Sequence, residues 1–211
     1  MKKIIKKMIN NNSGFTLVEL IIVIATIVIM TGASFVTLTV MHTAKAKEAA
    51  STFEDALSEL ASTAKNKGID YNLDGTIDDS EKKYAPGIKL YYDNNGDKNK
   101  IYLQKCVFIA QPDGSYALWN LGADDPYIQS VNAHNGKGEC LSSYIQIKME
   151  SISGTEYTLG GYNVFAICYN KKGECVSGYG TYKFSKKGGT SISRVQINKN
   201  GSYITDAVKD R

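Results

Sequence analysis

Gly14-Phe15-Thr16-Leu17-Val18-Glu19-Leu20 opens a run that reaches Met41 without another ionisable side chain. The 27 residues from Phe15 to Met41 hold one charge, Glu19. At about 1.5 Å rise per residue, a helix of that length exceeds the roughly 30 Å hydrocarbon core of a bilayer. Ahead of it stand Lys2, Lys3, Lys6 and Lys7 with no acid, and the positive-inside rule holds such a segment in the cytoplasm. The chain is therefore expected to cross once, with everything after Met41 outside. A carboxylate within a membrane helix costs on the order of 2.5 to 3.5 kcal/mol on insertion scales, so Glu19 asks for a partner. A cleaved secretory signal fits poorly, because its apolar region runs about 7 to 15 residues and ends at an A-x-A-like site. Here Thr31-Gly32-Ala33 follows too long a run. An ordinary membrane anchor leaves Glu19 unexplained.

Gly14-Phe15-Thr16-Leu17-Val18-Glu19 after a short Lys-rich leader closely resembles the type IV prepilin signal, shared by type IV pilins and the pseudopilins of type II secretion and competence systems. The resemblance implies a leader over 1–14, cleavage after Gly14 by a membrane peptidase that methylates the new amino terminus of Phe15, and retention of 15–41 as a transmembrane and filament-core helix. In that family the carboxylate at the position of Glu19 pairs with the amino-terminal charge of a neighbouring subunit. The residues agree, since an amine freed at Phe15 supplies the counter-charge that Glu19 lacks. Implied partners are further copies of the subunit, the prepilin peptidase/methyltransferase, the pilus assembly machinery and the membrane. The protein would sit in the cytoplasmic membrane with its head outside, then in an extracellular pilus or pseudopilus. Many relatives have a proline partway along this helix, whereas the first here is Pro86. Gly32 is the weak point, since Gly costs about 1 kcal/mol against Ala in a helix interior.

The 211 residues bound the protein to a membrane segment plus one compact domain. The formal charge of +4 equals the four leader lysines, leaving the remainder near neutrality and without a global basic bias towards nucleic acid.

Beyond Met41, Ala46, Ala49, Ala50, Phe53, Leu57, Leu60, Ala61 and Ala64 recur at three- and four-residue steps, with charged residues between them. Residues 42–68 are thus an amphipathic continuation of the helix, ending near Gly68. Its small residues allow a sheet to approach closely.

Asp70-Tyr71-Asn72-Leu73-Asp74-Gly75-Thr76-Ile77-Asp78-Asp79-Ser80-Glu81 matches the EF-hand calcium loop. Asp70, Asn72, Asp74, Asp78 and Glu81 place side-chain oxygens at loop positions 1, 3, 5, 9 and 12, and Thr76 offers its carbonyl at 7. Gly75 permits the sharp turn. Ca²⁺ suits such an all-oxygen shell, and Mg²⁺ rarely uses one. A short helix from about Asp79 to Ala85 is expected next, broken by Pro86 and Gly87. The expected task is structural, pinning the segment between helix and first strand.

From Ile88 the pattern turns to strands. Ile101, Leu103, Val107 and Ile109 alternate, as do Ile145, Ile147 and Met149, with turn clusters at Pro112-Asp113-Gly114, Lys171-Lys172-Gly173 and Asn200-Gly201. Asp93-Asn94-Asn95-Gly96-Asp97 lacks a closing glutamate and reads as a hairpin turn. The fold class is α+β: a long N-terminal helix packed on an antiparallel sheet head spanning 69–211, an architecture the pilin resemblance also implies.

Cys106, Cys140, Cys168 and Cys175 all fall on the exported side, where two disulfides are permitted in three connectivities. With Asn170 to Gly173 as a four-residue loop, Cys168 and Cys175 fall opposite each other, and Cys106 with Cys140 completes the set. Zinc lacks a C-x-x-C spacing, and buried free thiols remain open. Catalysis finds little footing: His42 and His134 stand without a nucleophile motif. Lys171, Lys172, Lys183, Lys186 and Lys187 near Tyr162, Tyr169, Tyr179 and Tyr182 allow a weak DNA- or glycan-contact reading. The expected function is a structural subunit of a type IV pilus-like filament, with a minor tip pilin, an adhesin or a secretion pseudopilin as alternatives.

Overall fold

A computed structural model describes residues 16–93, 100–160 and 163–207. The chain divides into two compact units, Met1–Met41 and His42–Arg211. Helix α1, Leu17–Asn66, begins in the first and continues into the second. Among the described residues it is the one helix long and apolar enough to cross a membrane.

In the first unit the large apolar side chains from Leu17 to Met41 are exposed. The hydroxyls of Thr26, Thr31, Ser34, Thr37 and Thr39 donate to carbonyls three or four residues earlier, from Thr31 to Ile27 O at 2.7 Å to Thr39 to Phe35 O at 3.1 Å. Every hydroxyl on this stretch thus has a partner within the helix, which apolar surroundings demand. The helix runs through Gly32 without interruption.

In the second unit α1 buries Ala46, Ala49, Ala50, Phe53, Leu57, Leu60 and Ala64, one stripe at helical spacing. The ring of Phe53 lies 5.1 Å from that of Tyr182 and 5.5 Å from that of Phe184. The helix closes where the N–H groups of Lys67 and Gly68 both donate to Thr63 O, with Gly68 at φ +68°. A left-handed residue there favours glycine.

Two antiparallel sheets complete the head. The strands are β1 Tyr84–Asp93, β2 Lys100–Ala110, β3 Tyr116–Trp119, β4 Glu139–Ser142, β5 Ile145–Glu150, β6 Glu156–Thr158, β7 Phe165–Tyr169, β8 Cys175–Ser177, β9 Gly180–Lys186, β10 Ser191–Ile197 and β11 Tyr203–Ala207. The six-stranded sheet runs β3-β2-β1-β7-β8 with β4 also on β2, and the five-stranded sheet runs β11-β10-β9-β5-β6. One core joins α1 to both, uniting Phe53, Leu57 and Leu60 with Ile88 and Leu103 of one sheet and Ile147 and Phe184 of the other. This is the α+β, pilin-like arrangement: a long apolar helix followed by an antiparallel domain.

At the centre of the larger sheet, Gly87 faces Cys106 on one side and Cys168 on the other. A Cβ on Gly87 would stand 2.4 Å from the Phe108 ring, so that ring lies directly over bare backbone. A second, smaller apolar cluster forms there from Ala85, Cys106, Phe108 and Cys168.

Three expectations need correction. No helix follows the acidic loop: residues 79–83 form turns, and β1 already starts at Tyr84. Pro86 sits within that strand opposite Val107, one residue before β7 pairing begins at Gly87, so its missing N–H falls where no second neighbour needs it. A short helix, α2, Pro126–Val131, appears where none was expected; Asp125 caps it and Pro126 occupies its first turn. The third concerns the cysteines, all of them free. Tyr169 rather than Cys168 faces Cys175, and Cys168 faces Ser177 across a bulge. The two thiols therefore join different clusters, Cys175 the main core and Cys168 the smaller one. Cys140 faces Tyr102, four residues along β2 from Cys106, too far for a bridge. The expected turn at 94–97, together with Tyr162, lies outside the described residues.

Candidate functional site

The sequence singles out two places, the start of α1 and the loop that follows its end. Gly14 and Phe15 lie outside the described residues. Thr16 begins the described chain and Glu19 occupies the first helical turn. The Thr16 N–H and hydroxyl both donate to Glu19 Oε2 at 2.9 Å, and the Glu19 N–H donates back to the Thr16 hydroxyl at 3.2 Å. This is a capping box, which satisfies orphan N–H groups at a helix start. Glu19 therefore has a local partner as well as a candidate distant one. The signal was present in the sequence as Thr-x-x-Glu. Oε1 of Glu19 has no partner among the described residues.

The acidic loop turns tightly through Leu73 at φ +61° and Gly75 at φ +88°. Its side-chain oxygens accept the loop's own N–H groups. Asp70 accepts the N–H groups of Asp74 at 3.2 Å and Gly75 at 2.8 Å, and Asn72 Oδ1 accepts that of Asp74 at 3.0 Å. Asp74 Oδ1 accepts the Thr76 N–H at 2.8 Å, and Asp78 Oδ1 accepts that of Ser80 at 2.8 Å. These bonds hold the carboxyls of Asp74 and Asp78 below the usual range, led in each case by the hydroxyl of Thr76 or Ser80. Glu81, only 4% exposed, accepts the N–H groups of Tyr71 at 2.7 Å and Asn72 at 2.9 Å through Oε1. Its Oε2 takes that of Asp78 at 3.3 Å. The six residues expected as ligands thus share one loop, tied across by its closing glutamate. Among the described residues, however, no three His, Cys, Asp or Glu side chains gather in a metal-holding group.

Tyr71 fastens this loop to the head. Its hydroxyl donates to Asp125 Oδ2 at 2.9 Å, and its ring meets Trp119 at 4.8 Å and Tyr84 at 5.3 Å. Asp125 Oδ1 meanwhile caps α2 through the N–H groups of Tyr127 and Ile128 at 3.0 and 3.1 Å. One carboxylate therefore links the loop to α2. Sequence reasoning missed this joint, although Asp-Pro ahead of an apolar turn is a helix-start signal.

The remaining candidate residues are engaged in local contacts. His42 stacks on Tyr144 with ring centroids 5.0 Å apart, and His134 holds Gly138 O at 3.0 Å within its own turn. Burial pushes the thiols of Cys106 and Cys175 up to about 12, which favours the protonated form. Of the basic and aromatic residues, several are already engaged. Tyr169 and Tyr182 are buried, and Lys183 is bound to Glu150 at 2.7 Å and Glu156 at 2.9 Å.

A sequence model for the prokaryotic N-terminal methylation motif matches residues 9–35. That stretch is the prepilin signal of type IV pilins and pseudopilins, and it contains Gly14, Phe15 and Glu19. No curated protein and no solved structure matches the chain. The motif supports a pilin-like or pseudopilin protein with a structural role, anchored in a membrane and processed by a prepilin peptidase.

Proposed function

We propose that this chain is a structural subunit of a type IV pilus-like filament, cleaved after Gly14 and assembled through α1. The observation that carries the reading is the coincidence of the methylation motif with a helix whose large apolar side chains from Leu17 to Met41 stay exposed among the described residues. Such a surface needs lipid before assembly and other helices after it. Both surroundings keep it dry, so little apolar solvation changes hands on transfer. Glu19 then sets register: the methylated amine of Phe15 from a neighbouring copy meets the free Oε1 while Oε2 keeps the capping box. Removing one partner of such a low-dielectric pair costs about 3 to 5 kcal/mol.

The loop 70–81 is the proposed Ca²⁺ site, with Asp70, Asn72, Asp74, Thr76, Asp78 and Glu81 as the residues that would hold the ion. Fit rests on the donor set, which is all oxygen, and on Gly75 at its left-handed turn. Both Asp70 oxygens, Asn72 Oδ1 and Glu81 Oε2 each accept a single N–H, which leaves a lone pair on each for a cation. The ion would offset part of the loop's negative charge, which five carboxylates supply, and fasten the joint between α1 and β1.

Shearing filaments from cells and sequencing their subunit from the amino terminus tests the assembly reading. N-methylated Phe15 as the first residue of the dominant protein is expected. A subunit that begins at Met1, or beyond Met41, would overturn it.

A further inference from the structure

Two cavities on the second unit carry opposite charge. One, of about 210 Å³, lies beside the end of α1 between Ala64, Gly68, Tyr84 and the β7–β8 turn. Its charged lining is Lys82, Lys171 and Lys172, without an acid. Lys171 and Lys172 are exposed and make no ion pair among the described residues. Lys82 is bonded to Asp79, and Glu174 on the same turn is bonded to Asn170 at 2.7 Å. The other cavity, of about 320 Å³, runs along the flank of α1 towards β4. It is lined by Asp55, Glu59 and Glu139 and by one cation, Lys105, which Glu59 holds at 2.6 Å. Asp55 and Glu139 are exposed and unpaired among the described residues. Each surface thus presents two charges without an ion-pair partner among the described residues, and the signs are opposite.

We infer that these surfaces are the two halves of a head-to-tail contact between copies of this chain, with Lys171 and Lys172 of one copy meeting Asp55 and Glu139 of the next. The inference rests on the filament reading. When each copy turns its basic surface to one neighbour and its acidic surface to another, the contact is heterologous and extends the assembly instead of closing it. Exposed ion pairs contribute little affinity each, so their role is to fix orientation and speed encounter while the apolar helices supply the cohesion. A nucleic acid is the poorer occupant. The basic cavity is bounded by Gly68 and Lys82, the two ends of the acidic loop, so a polyanion leaving it would meet Asp70, Asp78 and Asp79. Two carboxylates demand no such track.

A charge-reversal cycle tests this in cells. Lys171→Glu with Lys172→Glu, and separately Asp55→Lys with Glu139→Lys, are expected to lower sheared filament yield about tenfold, and the four together to restore most of it. Thermal melts of the purified full-length variants should match wild type, since all four side chains are exposed. Wild-type yield from either double variant would overturn the contact while leaving the filament reading intact, as would a quadruple variant no better than the doubles. Wild-type cells that make no filament beginning at Phe15 would remove both. Full assembly by the lysine variant, with loss of wild-type binding to a single-stranded oligonucleotide, would reassign the lysines to nucleic acid.

Discussion

The side-chain amide of Asn132 pairs with the backbone of Lys105 as a neighbouring strand would. Its Oδ1 accepts the Lys105 N–H at 2.7 Å and its Nδ2 donates to the Lys105 carbonyl at 3.0 Å. On this side of β2, β3 covers Val107 to Ala110 and β4 covers Ile101 to Leu103, so Lys105 falls in the gap between them. A buried backbone group left without a partner costs about 1 to 3 kcal/mol. Asn132→Ala is expected to destabilise the head by about that much, read as a lower thermal midpoint. Asn132→Asp keeps the acceptor and loses the donor, so it should fall between. A melt unchanged in Asn132→Ala would mean that water replaces both bonds.

Glu19→Gln separates two roles of one side chain. Glutamine sustains a capping box as glutamate does, yet carries no charge for a neighbouring amine. If the charge sets register, Glu19→Gln and Glu19→Ala should both insert, be cleaved after Gly14, and fail to build filaments. Wild-type filament yield from Glu19→Gln would leave the cap as the residue's whole contribution.

Calcium should raise the thermal midpoint of the full-length protein in detergent, and a chelator should reverse the gain. At free calcium of about 100 times Kd the expected stabilisation is about 2.7 kcal/mol. Asp74→Ala removes a central oxygen pair, so its melt should no longer respond to calcium. A wild-type melt indifferent to the chelator would end the assignment.

Glu156 on β6 is held by Lys148 at 2.7 Å and Lys183 at 2.9 Å, which lower its carboxyl from 4.5 to about 2. A carboxylate depressed in the folded state stabilises above its unfolded value and loses that contribution as pH falls through its folded value. Its share is therefore complete above about pH 5 and fades from there towards pH 2. Glu156→Gln should melt below wild type at pH 7, and the two curves should converge at the acid end. The side chain is solvent-exposed, so the difference should also shrink in high salt. A gap that persists at pH 2 would point to packing instead.

The stretch matched by the methylation motif, 9–35, was legible because its residues carry their reason in their own side chains. A run of apolar residues with one acid near its start means the same thing wherever the head folds. The stripe from Ala46 to Ala64 was readable likewise, since helical spacing alone decides which face is buried. Register was not legible. Counting Asn170 to Gly173 as the turn sets Cys168 against Cys175, but the Asn170 N–H bonds Glu174 O at 3.0 Å, and Val176 bulges out beyond it. One residue of slip moves a side chain to the opposite face of a sheet, enough to separate two thiols that looked paired. The missing helix after Glu81 has a similar origin: long-range pairing of Tyr84 with Ile109 claims the chain before a local turn can propagate. Asp125 failed to stand out because its two tasks, capping α2 and holding Tyr71, meet only in three dimensions.

Thr26, Thr31, Ser34, Thr37 and Thr39 spend their hydroxyl protons on carbonyls of their own helix. Nothing on that rod's flank then reaches outward for a polar mate, and any azimuth serves as well as another. On the filament reading, a subunit leaving the bilayer would spin and slide against its fellows until Glu19, whose Oε1 alone is left over among the described groups of that stretch, catches.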